Sequence, residues 1–257
     1  MVVKSIVGIA AVLSVSALAA GCSSSQNGSS TGIAGDLTVL AAASLKSTFT
    51  ELGAKFETAH PGTKVTFNFA GSSDLATQLG QGAPGDVFAS ADTNNMTKAV
   101  DAGLVSGGPV NFAANTLTIV TPPENPGHIA SFADLARPGL QVVVCAPQVP
   151  CGSATDRIEK ATGVTLAPVS EESAVTDVLG KITSGQADAG LVYVTDAAGA
   201  GDKVTAIPFP ESSEAVNTYP IAVLKGSTNP QAAQEFVELV TSPEGQGVLT
   251  AAGFAKP

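Results

Sequence analysis

Apolar and polar positions alternate along the chain in a way that separates strands from helices. Leu37–Ala42 (LTVLAA) is a continuous apolar run, the pattern of a strand buried on both faces. Leu45, Phe49, Leu52 and Phe56 then recur at helical spacing until Pro61-Gly62 ends the helix. Val65, Phe67 and Phe69 alternate as a strand, and Leu75 and Leu79 open another helix after Gly71-Ser72-Ser73-Asp74. Residues 86–90 read as a short strand and 93–104 as a helix. The same rhythm predicts strands at 117–120, 141–145, 190–194, 204–208 and 216–224. It predicts helices at 131–136, 153–162, 173–183, 230–241 and 244–252. Alternation of this kind implies βα units on parallel sheets. Two α/β lobes fit the 257 residues better than one sheet, with irregular stretches near 108–116 and 210–220 as the crossovers.

The first residues follow a different rule. Lys4 precedes the apolar run Ile6 to Ala20, which has the length of a secretory signal and is too short for a spanning helix. Leu18-Ala19-Ala20-Gly21-Cys22 resembles a bacterial lipobox, in which cleavage precedes a lipidated cysteine. Residues 1–21 are thus expected to be a lipoprotein signal peptide. Residues 22–35, rich in Ser and Gly, are expected to be a flexible tether from a lipidated Cys22. That leaves Cys145 and Cys151 in an exported protein, where a disulfide is the natural reading and two free thiols the alternative.

Composition narrows the function classes. The chain carries 22 acidic against 12 basic residues, a formal charge of −10, which opposes nucleic-acid binding and any electrostatic steering of anions. Two histidines, His60 and His128, form no metal-ligand pattern, and both stand in apparent loops. No G-x-S-x-G elbow follows a strand, and the glycine-rich stretch 80–85 lacks the Lys-Ser/Thr of a phosphate loop. Asp86, Asp92 and Asp188 match no Ca²⁺ loop and read as caps or turns.

What remains is a set of helix starts. Small or hydroxyl residues follow strand ends at Ala43-Ser44, at Gly71-Ser72-Ser73, at Pro150-Cys151-Gly152-Ser153 and at Ser173-Ala174-Val175. A helix start offers unpaired N–H groups and partial positive charge, so several aimed at one cleft bind an anion without Lys or Arg. Each serine taken alone is better explained by an ordinary N-cap, and only the coincidence of four starts favours an anion site.

Five segments, in order, resemble the bacterial molybdate-binding proteins of ABC transporters. They are Val39 to Leu45, Phe69 to Ala76, Gly82 to Asp92, Leu191 to Ala197 and Tyr219 to Val223. The resemblance implies a two-lobed periplasmic binding protein fold (type II). Each lobe would be a mainly parallel sheet flanked by helices, with two hinge crossovers. Residues 36–112 and 220–257 would form lobe 1, and 113–219 lobe 2. It implies capture of molybdate, and of tungstate, between the lobes and delivery to a membrane permease with its ATPase. Carried over by position, the oxyanion ligands would be Ser44 and Ser72 from one lobe, with the backbone N–H groups of Cys151 and Val175 and the Tyr193 hydroxyl from the other. Position 151 is more usually a small non-thiol residue in that family, but only its N–H is required. The expected protein is a monomeric lipoprotein on the outer face of the cell membrane. It would have no cofactor, no metal beyond the oxyanion itself, no nucleic-acid partner and no catalysis. A binder of another oxyanion such as sulfate, or an anchored α/β enzyme or adhesin, is the alternative.

Overall fold

The computed structural model describes residues 35–257. The leader, the lipidation site Cys22 and the tether as far as residue 34 lie outside the described residues.

The chain opens with strand β1 (Leu37–Ala42), a 3-10 turn (Ala43–Leu45) and helix α1 (Lys46–Ala59). Then come β2 (Val65–Ala70), α2 (Ser72–Gly80), β3 (Val87–Ala89), α3 (Thr93–Asp101) and the long β4 (Val105–Asn115). A second set follows: β5 (Leu117–Thr121), β6 (Val142–Cys145), α4 (Pro150–Thr162), β7 (Ser170–Glu172), α5 (Val175–Thr183), β8 (Ala189–Tyr193), α6 (Val194–Ala200) and β9 (Thr205–Ile207). The chain closes with β10 (Asn217–Leu224), α7 (Pro230–Thr241) and α8 (Pro243–Ala251).

Among the described residues, ten strands make two sheets of five, in the orders β2-β1-β3-β10-β4 and β7-β6-β8-β5-β9. The unbroken apolar run of β1 is explained by helices on both faces. Leu37, Val39 and Ala41 point into one cluster with Phe49, Leu52, Phe56, Phe236 and Val240 from α1 and α7. Leu40 points the opposite way, into a cluster with Leu75, Leu79 and Met96 from α2 and α3. The period-two alternation of a strand therefore feeds two cores at once. The second sheet has its own core, in which Val143, Leu191 and Ile119 meet Ala154 and Ile158 of α4 and Val178 and Ile182 of α5.

The α/β architecture agrees with the expectation, but the sheets are mixed rather than mainly parallel. β10 runs antiparallel to β3 and β4, and β5 antiparallel to β8 and β9. A parallel neighbour needs a long return connection, usually a helix. β4 passes into β5 through Thr116 alone, and β9 leads to β10 through a short 3-10 turn (Pro210–Ala215). Neither connection supplies a helical return. Of the stretch 108–116, expected to be irregular, all but Thr116 is strand, because the exposed half of β4 (Ser106–Asn111) pairs with β10 despite a polar, glycine-rich sequence. Strand β7 and helix α6 were also not anticipated. β7 has three residues and no apolar alternation, and α6 begins directly after Tyr193 without a turn.

Candidate functional site

Four helix starts converge on one small cavity. Its walls are Ala42, Ala43 and Ser44 from the β1–α1 junction, Gly71 and Ser72 at the start of α2, Ala91 after β3, Val149, Pro150 and Cys151 at the start of α4, Val175 opening α5, and Tyr193 ending β8. All five residues expected to hold the anion line it. Among the described residues, none with a charged side chain does. The space free to the centre of a water-sized sphere is about 10 Å³, against about 630 Å³ in the open groove beside α5 and α6. A cavity that small fits a compact group of a few atoms and excludes a sugar, peptide or nucleotide.

The helices aimed at the cavity share a feature that α3, α7 and α8 lack. The residues preceding the 3-10 turn, α2, α4 and α5 are Ala42, Gly71, Val149 and Ala174, and none donates a capping side chain. Those three begin elsewhere and are capped in the ordinary way. Asp92 accepts from Asn95 N–H at 2.9 Å for α3, Asn229 from Ala232 N–H for α7, and Ser242 from Gly245 N–H for α8. A missing cap costs about 1 kcal/mol. Ser72 is the first residue inside α2 and Ser44 lies within its 3-10 turn, so neither is the N-cap that a lone serine suggests. Cys151 and Val175 stand in the first turns of α4 and α5, where backbone N–H groups have no helical acceptor.

Hydroxyl groups complete the lining. Ser72 Oγ accepts the Ala91 N–H at 2.9 Å, and Ser44 Oγ lies 3.1 Å from the Tyr219 hydroxyl. Tyr193 and Tyr219 are fully buried and pack edge to face at 5.9 Å. Burial drives the phenol of each far above its ordinary ionisation range, so both stay neutral and keep their protons. Burial also raises the carboxyl of Asp196, behind Tyr193, to about 7.

A disulfide links Cys145, the last residue of β6, to Cys151 in the first turn of α4, with Cα atoms 5.6 Å apart. It closes the loop that presents the Cys151 N–H. Gly152 is required beside it, since a Cβ there would lie 2.0 Å from the Ala146 carbonyl oxygen.

Residues outside the expected set also shape the site. Asn217 is buried behind Tyr193 and donates from Nδ2 to its hydroxyl at 2.9 Å, and Asn217 Oδ1 accepts from Arg157 Nη2 at 2.9 Å. Asn115, its cross-strand partner, donates to Thr195 Oγ1 at 2.8 Å. A polar residue opening an otherwise apolar strand was the available signal for Asn217. Nothing in the sequence connects Arg157 to it. The acidic residues considered for metal binding do other work: Asp86 holds Thr38 N–H, Thr228 N–H and Ser227 Oγ, Asp92 caps α3, and Asp188 accepts from Gln141 N–H. Among the described residues, no group of three or more His, Cys, Asp or Glu is placed to hold a metal ion, and no helix is long and apolar enough to cross a membrane.

The profile of the bacterial extracellular solute-binding proteins matches residues 37–255. The chain is 59% identical over 221 residues to the molybdate-binding protein ModA of Mycobacterium tuberculosis, covering 86% of this chain and 85% of that one. Among solved structures, the periplasmic molybdate-binding protein of Azotobacter vinelandii superposes with a TM-score of 0.74 at 23% identity, covering 86% and 99% of the two chains. The sulfate-binding protein SubI of Mycobacterium tuberculosis superposes with 0.76 at 20% identity, covering 86% of each. The fold alone therefore does not separate one oxyanion from another. With the profile spanning both sheets and a relative this similar across most of its length, the chain belongs to the bacterial extracellular solute-binding proteins.

Proposed function

We propose that this protein captures molybdate, and tungstate with it, in the cavity between its two sheets and hands it to an ABC importer made of a membrane permease and its ATPase. The observation that carries the reading is the set of four uncapped helix starts around a cavity without a charged wall. A bound dianion would serve as their common cap. Ser44, Ser72, Tyr193 and the N–H groups of Cys151 and Val175 are the proposed donors. Hydrogen bonds to a charged group contribute about 1.5–3 kcal/mol each, so several together hold a desolvated dianion. The 59% identity to a molybdate-binding protein supports molybdate over sulfate. Binding requires no bond to be made or broken, and the protein acts by capture and release.

Residues 36–112 with 220–257, and 113–219, are the proposed lobes, closing on the anion by a hinge at the paired segments around Asn115 and Asn217. A lipid on Cys22 would tether the exported monomer to the outer face of the membrane. One acyl chain anchors weakly, so at least two are required.

Thermal unfolding with molybdate, tungstate, sulfate and phosphate tests the assignment. A ligand at 100 times its Kd adds about 2.7 kcal/mol of stability. Molybdate and tungstate should raise the midpoint by several degrees and sulfate and phosphate should not. Absence of any molybdate or tungstate shift overturns the reading. Cys22→Ser should move the exported protein from the membrane fraction to the soluble one, and retention in the membrane fraction overturns the anchor.

A further inference from the structure

Each of the three hydroxyls lining the cavity has a polar neighbour behind it. Ser72 Oγ accepts from the Ala91 N–H, Ser44 Oγ adjoins the Tyr219 hydroxyl, and Tyr193 Oη accepts from Asn217 Nδ2. The last contact is the most constrained. Arg157 Nη2 donates to Asn217 Oδ1 at 2.9 Å, and a guanidinium has no acceptor to offer. On its other side the Asn217 amide nitrogen faces the carbonyl oxygens of Ala91 at 2.9 Å and Pro150 at 3.2 Å, which have no donor. Turning the amide over would set oxygen against two carbonyls and NH₂ against the guanidinium. The amide has two protons for three oxygens: the two at 2.9 Å, Ala91 O and Tyr193 Oη, receive one each, and Pro150 O at 3.2 Å shares, so the group presented to Tyr193 is N–H.

A phenol oxygen that accepts there has its own proton left to give. Without a ligand, the adjacent Tyr219 hydroxyl is the neighbour for that proton. A dianion in the cavity is the stronger acceptor.

We infer that Asn217, pinned by Arg157, is a positioning residue for oxyanion specificity: it holds Tyr193 as a donor and denies the cavity an acceptor. The inference rests on the oxyanion reading above. Molybdate and a monohydrogen oxyanion such as hydrogen arsenate carry the same charge and similar shape, so charge cannot separate them. The second brings an O–H that must find an acceptor, and a buried donor left unpaired is costly. Were Tyr193 free to turn, its oxygen would supply that acceptor and the distinction would fade.

The test is calorimetric titration with molybdate, with hydrogen arsenate measured by competition above arsenate's second ionisation. The proteins are wild type, Asn217→Leu, Arg157→Met and Tyr193→Phe, together with the Asn217→Leu, Tyr193→Phe double variant. Wild type should bind molybdate and ignore hydrogen arsenate. Asn217→Leu, and to a lesser degree Arg157→Met, should weaken molybdate by about tenfold and let hydrogen arsenate compete. In the Tyr193→Phe background, Asn217→Leu should give hydrogen arsenate no further gain, since its effect runs through the missing hydroxyl. A purely structural role would weaken molybdate without admitting hydrogen arsenate. Arg157 is only half-buried, so its variant keeps the readout available should Asn217→Leu fail to fold. Hydrogen arsenate failing to compete in every variant that folds overturns the inference. A further gain in the Tyr193→Phe background overturns it as well. Molybdate failing to bind wild type is a separate result, and it overturns the molybdate reading together with this one.

Discussion

Gly71, preceding α2 beside the first sheet, lies so close to Ser173, which follows β7 of the second, that a Cβ on the glycine would stand 2.0 Å from the Ser173 carbonyl oxygen. No real Cβ tolerates that distance, and the obstacle is backbone rather than a movable side chain. Gly71→Ala should therefore obstruct the close approach while leaving each core intact. Molybdate affinity should fall by at least about tenfold, from a strain of the size that small overpacking causes. The unliganded melting temperature should barely change. Titration and thermal unfolding of the same sample check both halves, and unchanged affinity would show that this contact is not needed for binding.

Ser44→Ala and Tyr193→Phe each remove one proposed donor without adding bulk. Each should cost about 1.5–3 kcal/mol of binding free energy, the range for a hydrogen bond to a charged partner. Wild-type affinity in both variants would remove these two residues from the site.

The Cys145–Cys151 disulfide closes the loop leading into α4. Reduction should lower stability by about 2 kcal/mol, the chain-entropy value for so short a loop. If the bridge also holds the Cys151 N–H in place, reduction should speed molybdate release. Stopped-flow displacement reads that rate, and an unchanged rate would confine the bridge to a role in stability.

Asp196 carries a pH dependence whose sign is fixed. Burial raises its carboxyl from the ordinary 3.8 to about 7, only partly offset by the hydrogen bond from Tyr193 N–H. Between those two values the folded protein holds a proton that the unfolded chain releases. This group's contribution to stability is therefore complete below about pH 4, falls as pH rises to about 7, and is flat above. Asp196→Asn should erase that slope, so the variant's advantage in melting temperature should grow from pH 4 to 7 and then level off. A constant difference across the range would contradict the raised value.

Much of this protein was legible along the chain because the information is local. The run LTVLAA announces a strand covered on both faces, and the spacing of Leu45, Phe49, Leu52 and Phe56 announces the helix beside it. Three of the helices around the cavity follow Gly71, Val149 and Ala174, residues that cannot cap, whereas Asp92, Asn229 and Ser242 cap helices that begin elsewhere. That contrast is written in the sequence, though it acquires meaning only when the uncapped starts are seen to meet.

Residue order by itself determined the α/β alternation and the helix starts, and made two nearby cysteines the natural pair, because each depends on periodicity or on neighbours a few positions apart. Tertiary structure alone decided the rest. β5 and β10 run against their neighbours because the chain crosses between sheets without a helical return. Asn217 stands behind Tyr193, and Arg157 behind Asn217, through contacts spanning 24 and 60 positions. The direction of a hydroxyl proton depends on what lies behind the oxygen, and that neighbour comes from a different strand or helix.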